Sequence, residues 1–276
     1  MERTETAEAG GAVEPGALLD GALSDGALSD GVLLDGMPRQ RTPVAAVTPV
    51  QVAAEPAGEL FRPIPRVWRL LPTPTGTPFT FWYAVLLGVT SYVADTADPS
   101  WVDEVLQASS TDVTHLAQAP ALVLVASALW VAGGLASPFV AVFLLVLTAL
   151  ERRIGGVRTV VVFLVGHVVA TLATEVPVGF AVLFDRLPDS SLHRLDYGIS
   201  FGVAASVGAL AGLLRPWARW PVLVVFGGLL LQDLVNMTDP ISNWGHLIAL
   251  AVGVGMWHWV RRWDAEGMEK VAPGRA

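Results

Sequence analysis

The chain has 276 residues, 53% hydrophobic and 15% charged, where ordinary soluble domains carry about 25% charged residues. With a mean hydropathy of +0.55 and long uncharged runs, this composition argues for a membrane protein and against a soluble one. No cysteine is present, which excludes disulfides and thiolate metal sites; there is also no phosphate-binding loop, zinc constellation or basic nucleic-acid surface, so no cofactor, metal or nucleic-acid partner is expected.

The formal charge of −8 comes largely from an acidic N-terminal tail and certain loops. Residues 1–75 read as a disordered, low-complexity tail with a proline-rich lead-in. Positions 16–35 repeat GALLD, GALSD, GALSD, GVLLD. A period of five fits neither helix nor strand, and glycine every fifth residue weakens a helix. The alternative is an acidic arm that binds a partner. The first residues lack a basic start followed by an apolar core, so the first span is expected to serve as its own insertion signal. The Ala/Val/Leu/Gly/Arg-rich, lysine-poor usage suggests a high-GC bacterium.

Six apolar segments follow, at about 79–95, 136–150, 157–175, 198–214, 218–236 and 243–260. Each is long enough, with tilt or local thinning for the first two, to span a bilayer. A further apolar stretch, 121–131, precedes Gly133, Gly134 and Pro138 and reads as a partly embedded loop helix. Arginines at 62, 66, 69, 152, 153, 158, 215, 219, 261 and 262 alternate with acid-rich loops at 96–135 and 176–197. The arginine bias predicts a multi-pass plasma (inner) membrane protein with both termini cytoplasmic. The membrane domain is taken as 76–263, with a cytoplasmic tail over 264–276.

Two polar side chains inside these segments stand out. Ser200 lies fifteen residues before Arg215, and His246 fifteen before Arg261. At a rise of ~1.5 Å per residue both lie roughly 22 Å from the same basic edge. Gly245, Ala249 and Gly253 form a stripe on one face of the sixth segment. Gly198 and Gly202, Ala205 and Ala209, and Gly208 and Gly212 form pairs on the fourth. Small residues four apart let helix backbones approach closely in lipid, as a serine–histidine nucleophile–base pair requires. Asp196 stands just before the fourth segment, placed to cap it or to bond near the pair. His167, midway along the third segment, reads as a packing histidine bonded to a neighbouring helix. Asp233 near the end of the fifth reads as wet and structural. A solute transporter using these two is the third reading, though the spans show no internal repeat.

The arrangement resembles the rhomboid superfamily of intramembrane serine proteases, and the divergent actinobacterial rhomboid-like proteins in particular. Gly198-Ile199-Ser200-Phe201 matches the family's nucleophile motif on the fourth span, and Gly208 a glycine eight residues on. His246, followed by Ala249 and Gly253, matches the family's base on the sixth span, and Asn243 falls where rhomboids can carry asparagine. Glu151-Arg152-Arg153-Ile154-Gly155 resembles the family's Glu-Arg-x-x-Gly turn. The resemblance implies an all-α, six-span rhomboid-like bundle with catalytic Ser200 and His246, supported by Gly198, Asn243 and Asp196, and with membrane lipid and membrane-anchored protein substrates or clients as partners. The chain departs from the family at the oxyanion side. The His-x-x-x-Asn places fall near Leu135 and Phe139, neither of which donates a hydrogen bond. The first outer loop lacks the family's Trp-Arg pair, and His115 is the candidate substitute there. The aromatic expected four residues after the nucleophile to support the base is Ala204. These losses imply a poorly held base and weak or absent protease activity. The alternative is a non-catalytic pseudoprotease that binds transmembrane client helices.

Overall fold

The fold is described by a computed structural model over residues 71–237 and 239–271. The pentapeptide repeat and most of the expected tail lie outside the described residues. Among the described residues there are ten α-helices and no strand: α1 (Pro78–Thr96), α2 (Pro99–Ala108), α3 (Val113–Gln118), α4 (Pro120–Ser127), α5 (Pro138–Ile154), α6 (Gly156–Leu183), α7 (Ser200–Leu213), α8 (Pro216–Val235), α9 (Pro240–Gly255) and α10 (Trp257–Val271). Proline occupies the first turn of six of them, where its missing N–H costs nothing and its fixed φ favours the helix. By length and composition, α6 and α8 are each able to cross a membrane. The apolar stretch 121–131 forms α4 and the turns after it.

α7 sits at the centre. It is short, almost wholly buried, and packs against α5, α6, α8, α9 and α10. A helix buried all round needs no polar face, and its sequence has none; Ser206 bonds back to the Gly202 carbonyl at 2.8 Å. The α7–α9 contact is the most extensive between helices among the described residues. A Cβ on Gly253 would lie 1.9 Å from the Ala205 carbonyl oxygen, and one on Gly208 would lie 2.4 Å from that of Leu250. Gly245, Ala249 and Gly253 are all buried along this seam.

At the arginine-rich end, Arg261 Nε donates to the Gly212 carbonyl at 3.0 Å, which sets the ends of α7 and of the sixth apolar segment at one level. That segment is not one helix. It breaks at Met256, and α10 passes against α5 and α7, burying Val260 beside Leu150 and Ile154. Arg153 holds Asp264 at 2.7 Å and Arg158 holds Glu266 at 2.6 Å, so the helix continues through the boundary at 263/264.

Glu151 ties α5 to α1. Its carboxylate accepts from the backbone N–H of Phe79 (2.9 Å) and Thr80 (2.8 Å) and from Thr80 Oγ1 (2.7 Å). These first-turn donors have no intrahelical partner and sit at the positive end of the α1 dipole. Glu151→Gln replaces one acceptor oxygen with an NH₂ facing donors. We expect it to cost about 2–3 kcal/mol, read as a lowered thermal midpoint in detergent; an unchanged midpoint would contradict this role.

Candidate functional site

Ser200 is the first residue of α7. The chain reaches it through Gly198, whose φ of +130° is rarely adopted by a residue with a side chain. Gly198 N–H donates to the Ser127 carbonyl at 3.0 Å, fixing this entry against the end of α4. No side chain caps α7, so its first-turn N–H groups lack that partner, and a space opens in front of Ser200.

That space is a cavity of about 370 Å³, lined by Ser200, His246, Phe139, Ser137, Asp196 and Gly198 among others. The two residues expected to pair thus share one cavity, reached from adjoining helices. No hydrogen bond joins them in this structure: His246 Nε2 is buried without a partner. A buried ring nitrogen without a partner is uncommon, and nucleophile–base bonds are often loose in unliganded sites.

The histidine is not poorly held, contrary to the expectation drawn from Ala204. Its ring stacks on Phe139 (centroids 5.2 Å, interplanar 21°) and meets Phe201 edge-on (5.1 Å, 72°). Phe139, read from sequence as a lost donor, therefore supports the His246 ring, and the residue just after the serine supplies the second aromatic wall. Ala204 lies fully buried beside Ala170, Phe201 and Ala249 instead. Leu135 is half exposed and is not among the residues lining the cavity.

The remaining residues singled out in the sequence divide clearly. Asn243 is buried and its amide donates to the Asp233 carbonyl at 2.9 Å, so it links α9 to α8 away from the cavity. Asp196 lines the cavity but does not cap α7; it accepts from Thr111 Oγ1 at 3.2 Å and its own N–H donates to Ser110 Oγ at 3.0 Å. His115 pairs with Asp112 at 2.8 Å and is not among the residues lining the cavity. His167 is buried, with Nε2 3.1 Å from the Leu124 carbonyl and 3.2 Å from Ser127 Oγ; it joins α6 to α4, as expected of a packing histidine. Asp233 is exposed. A second space of about 10 Å³, on the scale of one water, lies between Ser200, His167, Thr171, Thr111 and Asp196.

One important group escaped the sequence reading. Arg194, in the loop before α7, bonds Glu175 of α6, lies 3.8 Å from Asp196 and 3.5 Å from Asp239, and donates to Ser242 Oγ at 3.1 Å. Asp239 caps α9, accepting from Ser242 N–H at 3.3 Å. One guanidinium therefore gathers α6, the α7 entry and the start of α9 at the mouth of the cavity. The available signal was an arginine two residues before Asp196 in a loop of mixed charge.

Burial pushes the Asp196 carboxyl above the usual aspartate range, against the opposing pull of Arg194 and the Thr111 hydrogen bond. The fold then holds the proton more tightly than the unfolded chain. The contribution of Asp196 to stability is greatest at and below the ordinary value of about 3.9 and falls as pH rises through the raised value. Asp196→Asn, which cannot ionise, should gain thermal stability on the parent as pH rises above the ordinary aspartate value and through the raised one. Parallel stability curves would contradict this.

Comparison with known families now places the chain. Residues 75–265 match the family of rhomboid-like proteins, and the chain belongs to that family. It is accordingly a membrane protein in a lipid environment. No curated protein and no solved structure gives a significant match.

Proposed function

We propose that the protein is a weak intramembrane serine endopeptidase that acts on membrane-anchored polypeptides, with Ser200 as nucleophile and His246 as base. The observation that carries this reading is the shared cavity, in which an unpartnered His246 Nε2 is held between two aromatic rings beside Ser200. Attack of Ser200 Oγ on a peptide carbonyl would transfer its proton to His246 Nε2, which returns it to the leaving amine; water then hydrolyses the acyl-enzyme by the same proton path. The first-turn N–H groups of α7 are the donors available to the oxyanion. With no side-chain donor at Leu135 or Phe139, a rate lower by about 10²–10³ than that of a fully furnished site is expected.

The proposal includes six spans, formed by α1, α5, α6, α7, α8 and α9, in a plasma membrane. The arginine-rich ends would be cytoplasmic, and the cavity would open toward the opposite face. The second reading is a pseudoprotease that binds client helices. What favours it is Phe139 standing at the expected donor position, together with the absence of a Ser200–His246 hydrogen bond.

The test is cleavage of a single-span reporter co-reconstituted in liposomes. Slow cleavage that Ser200→Ala abolishes supports the protease. No cleavage, together with retention of the reporter on the immobilised Ser200→Ala variant and the parent alike, supports the pseudoprotease.

A further inference from the structure

The arginine-rich end of the bundle is charged unevenly. On the α10 side, Arg153, Arg158 and Arg262 each hold a carboxylate, at 2.7, 2.6 and 3.2 Å. Arg215, Arg219 and Arg261, at the junction of α7, α8 and α10, have none within salt-bridge distance among the described residues. Arg219 Nη2 and Arg261 Nε instead converge on one acceptor, the Gly212 carbonyl, at 3.2 and 3.0 Å. Arg219 also donates to the carbonyls of Ala211 (2.9 Å) and Leu214 (2.8 Å). Both guanidinium carbons lie 5.0 Å from the centre of the Trp257 ring, and Trp257 Nε1 donates to the Gly208 carbonyl at 2.7 Å, which holds the indole in place.

Two guanidiniums are thus fixed close together with no carboxylate partner among the described residues. The carbonyl end of α7 offsets part of this charge, but the positive end of α8 begins at the same joint and opposes it. Arg261 Nη1 and Nη2 and Arg219 Nη1 have no hydrogen-bond acceptor among the described residues. Planar guanidiniums with free forked donors match the oxygens of a phosphate. Trp217, Trp220 and Trp259 are exposed around the corner, the arrangement that marks a bilayer–water boundary.

We infer that Arg219 and Arg261, with Arg215 beside them, hold the phosphate of an anionic phospholipid against the Trp257 platform. The lipid neutralises the pair and braces the joint between α7, α8 and α10. This inference is independent of the catalytic reading.

The experiment measures the thermal midpoint of the purified full chain in neutral detergent with added phosphatidylglycerol or phosphatidylcholine. Phosphatidylglycerol should raise the parent's midpoint by about 3 °C or more over phosphatidylcholine, as preferential binding to the folded state requires. Arg219→Gln/Arg261→Gln should lose that difference, whereas Arg262→Gln, which removes the same charge from a carboxylate-paired neighbour, should keep it. Should the double variant not fold, Arg261→Gln, which leaves the Arg219 caps intact, must lose at least half of the difference. An equal response to both lipids, or a full response in Arg261→Gln, would overturn the proposal. Inorganic phosphate reproducing the whole effect would assign the site to a free anion and overturn the lipid assignment.

Discussion

Gly253→Val should yield no stably folded protein, and with it no functional pairing of Ser200 and His246. The first atom of the new side chain would lie 1.9 Å from the Ala205 carbonyl oxygen and 2.9 Å from the Ala209 nitrogen. These are backbone atoms of a helix enclosed on every side, so neither can turn aside as a side-chain tip would. Overpacking that a core can absorb costs about 1–3 kcal/mol. Here α9 would have to separate from α7, and the loss should exceed about 4 kcal/mol. The measurement is recovery of monodisperse protein from detergent, with Gly255→Val as control, since a Cβ at Gly255 meets nothing within 4 Å. Normal folding of Gly253→Val would mean that the α7–α9 seam is wrongly described.

Arg194→Ala is the second large effect. The Glu175 side chain is 1% exposed and that of Asp196 11%. Removing the arginine leaves both without their cationic partner, a change that typically costs about 3–5 kcal/mol. The damage should extend to the site, because Arg194 also reaches Asp239 and Ser242 at the head of the helix that carries His246. The expected result is a lowered thermal midpoint that partly recovers in Arg194→Ala/Glu175→Gln, where one of the stranded charges is gone. No destabilisation, or no recovery in the double variant, would contradict the hub.

Much of this was legible in the chain because lipid imposes simple rules. Apolar runs marked seven of the ten helices among the described residues, α4 included, and the glycine and alanine spacing on 198–214 and 243–260 marked the close pair. Matched distances from Arg215 and Arg261 placed Ser200 and His246 on one cavity. Contacts between segments that share no spacing were hidden. Phe139 looked like a missing hydrogen-bond donor because its own position suggested nothing else, whereas its stacking on His246 depends on how α5 approaches α9. Arg194 looked like a loop charge, and only folding brings Glu175, Asp196 and Asp239 around it. The break at Met256 was masked because the sequence stays largely apolar through Val260; it follows Gly253 and Gly255, which weaken a helix, and beyond it α10 packs against α5 and α7.

In the proposed function Ser200 and His246 form a working pair. The most direct measurement treats the purified protein, in detergent and in lipid, with a fluorophosphonate probe, locates the adduct by mass, and compares Ser200→Ala and His246→Ala. A working pair gives slow labelling of the parent at Ser200, none in Ser200→Ala, and a rate at least about 10²-fold lower in His246→Ala. Folded parent protein that stays unlabelled in both media, or labels equally fast without His246, would contradict it.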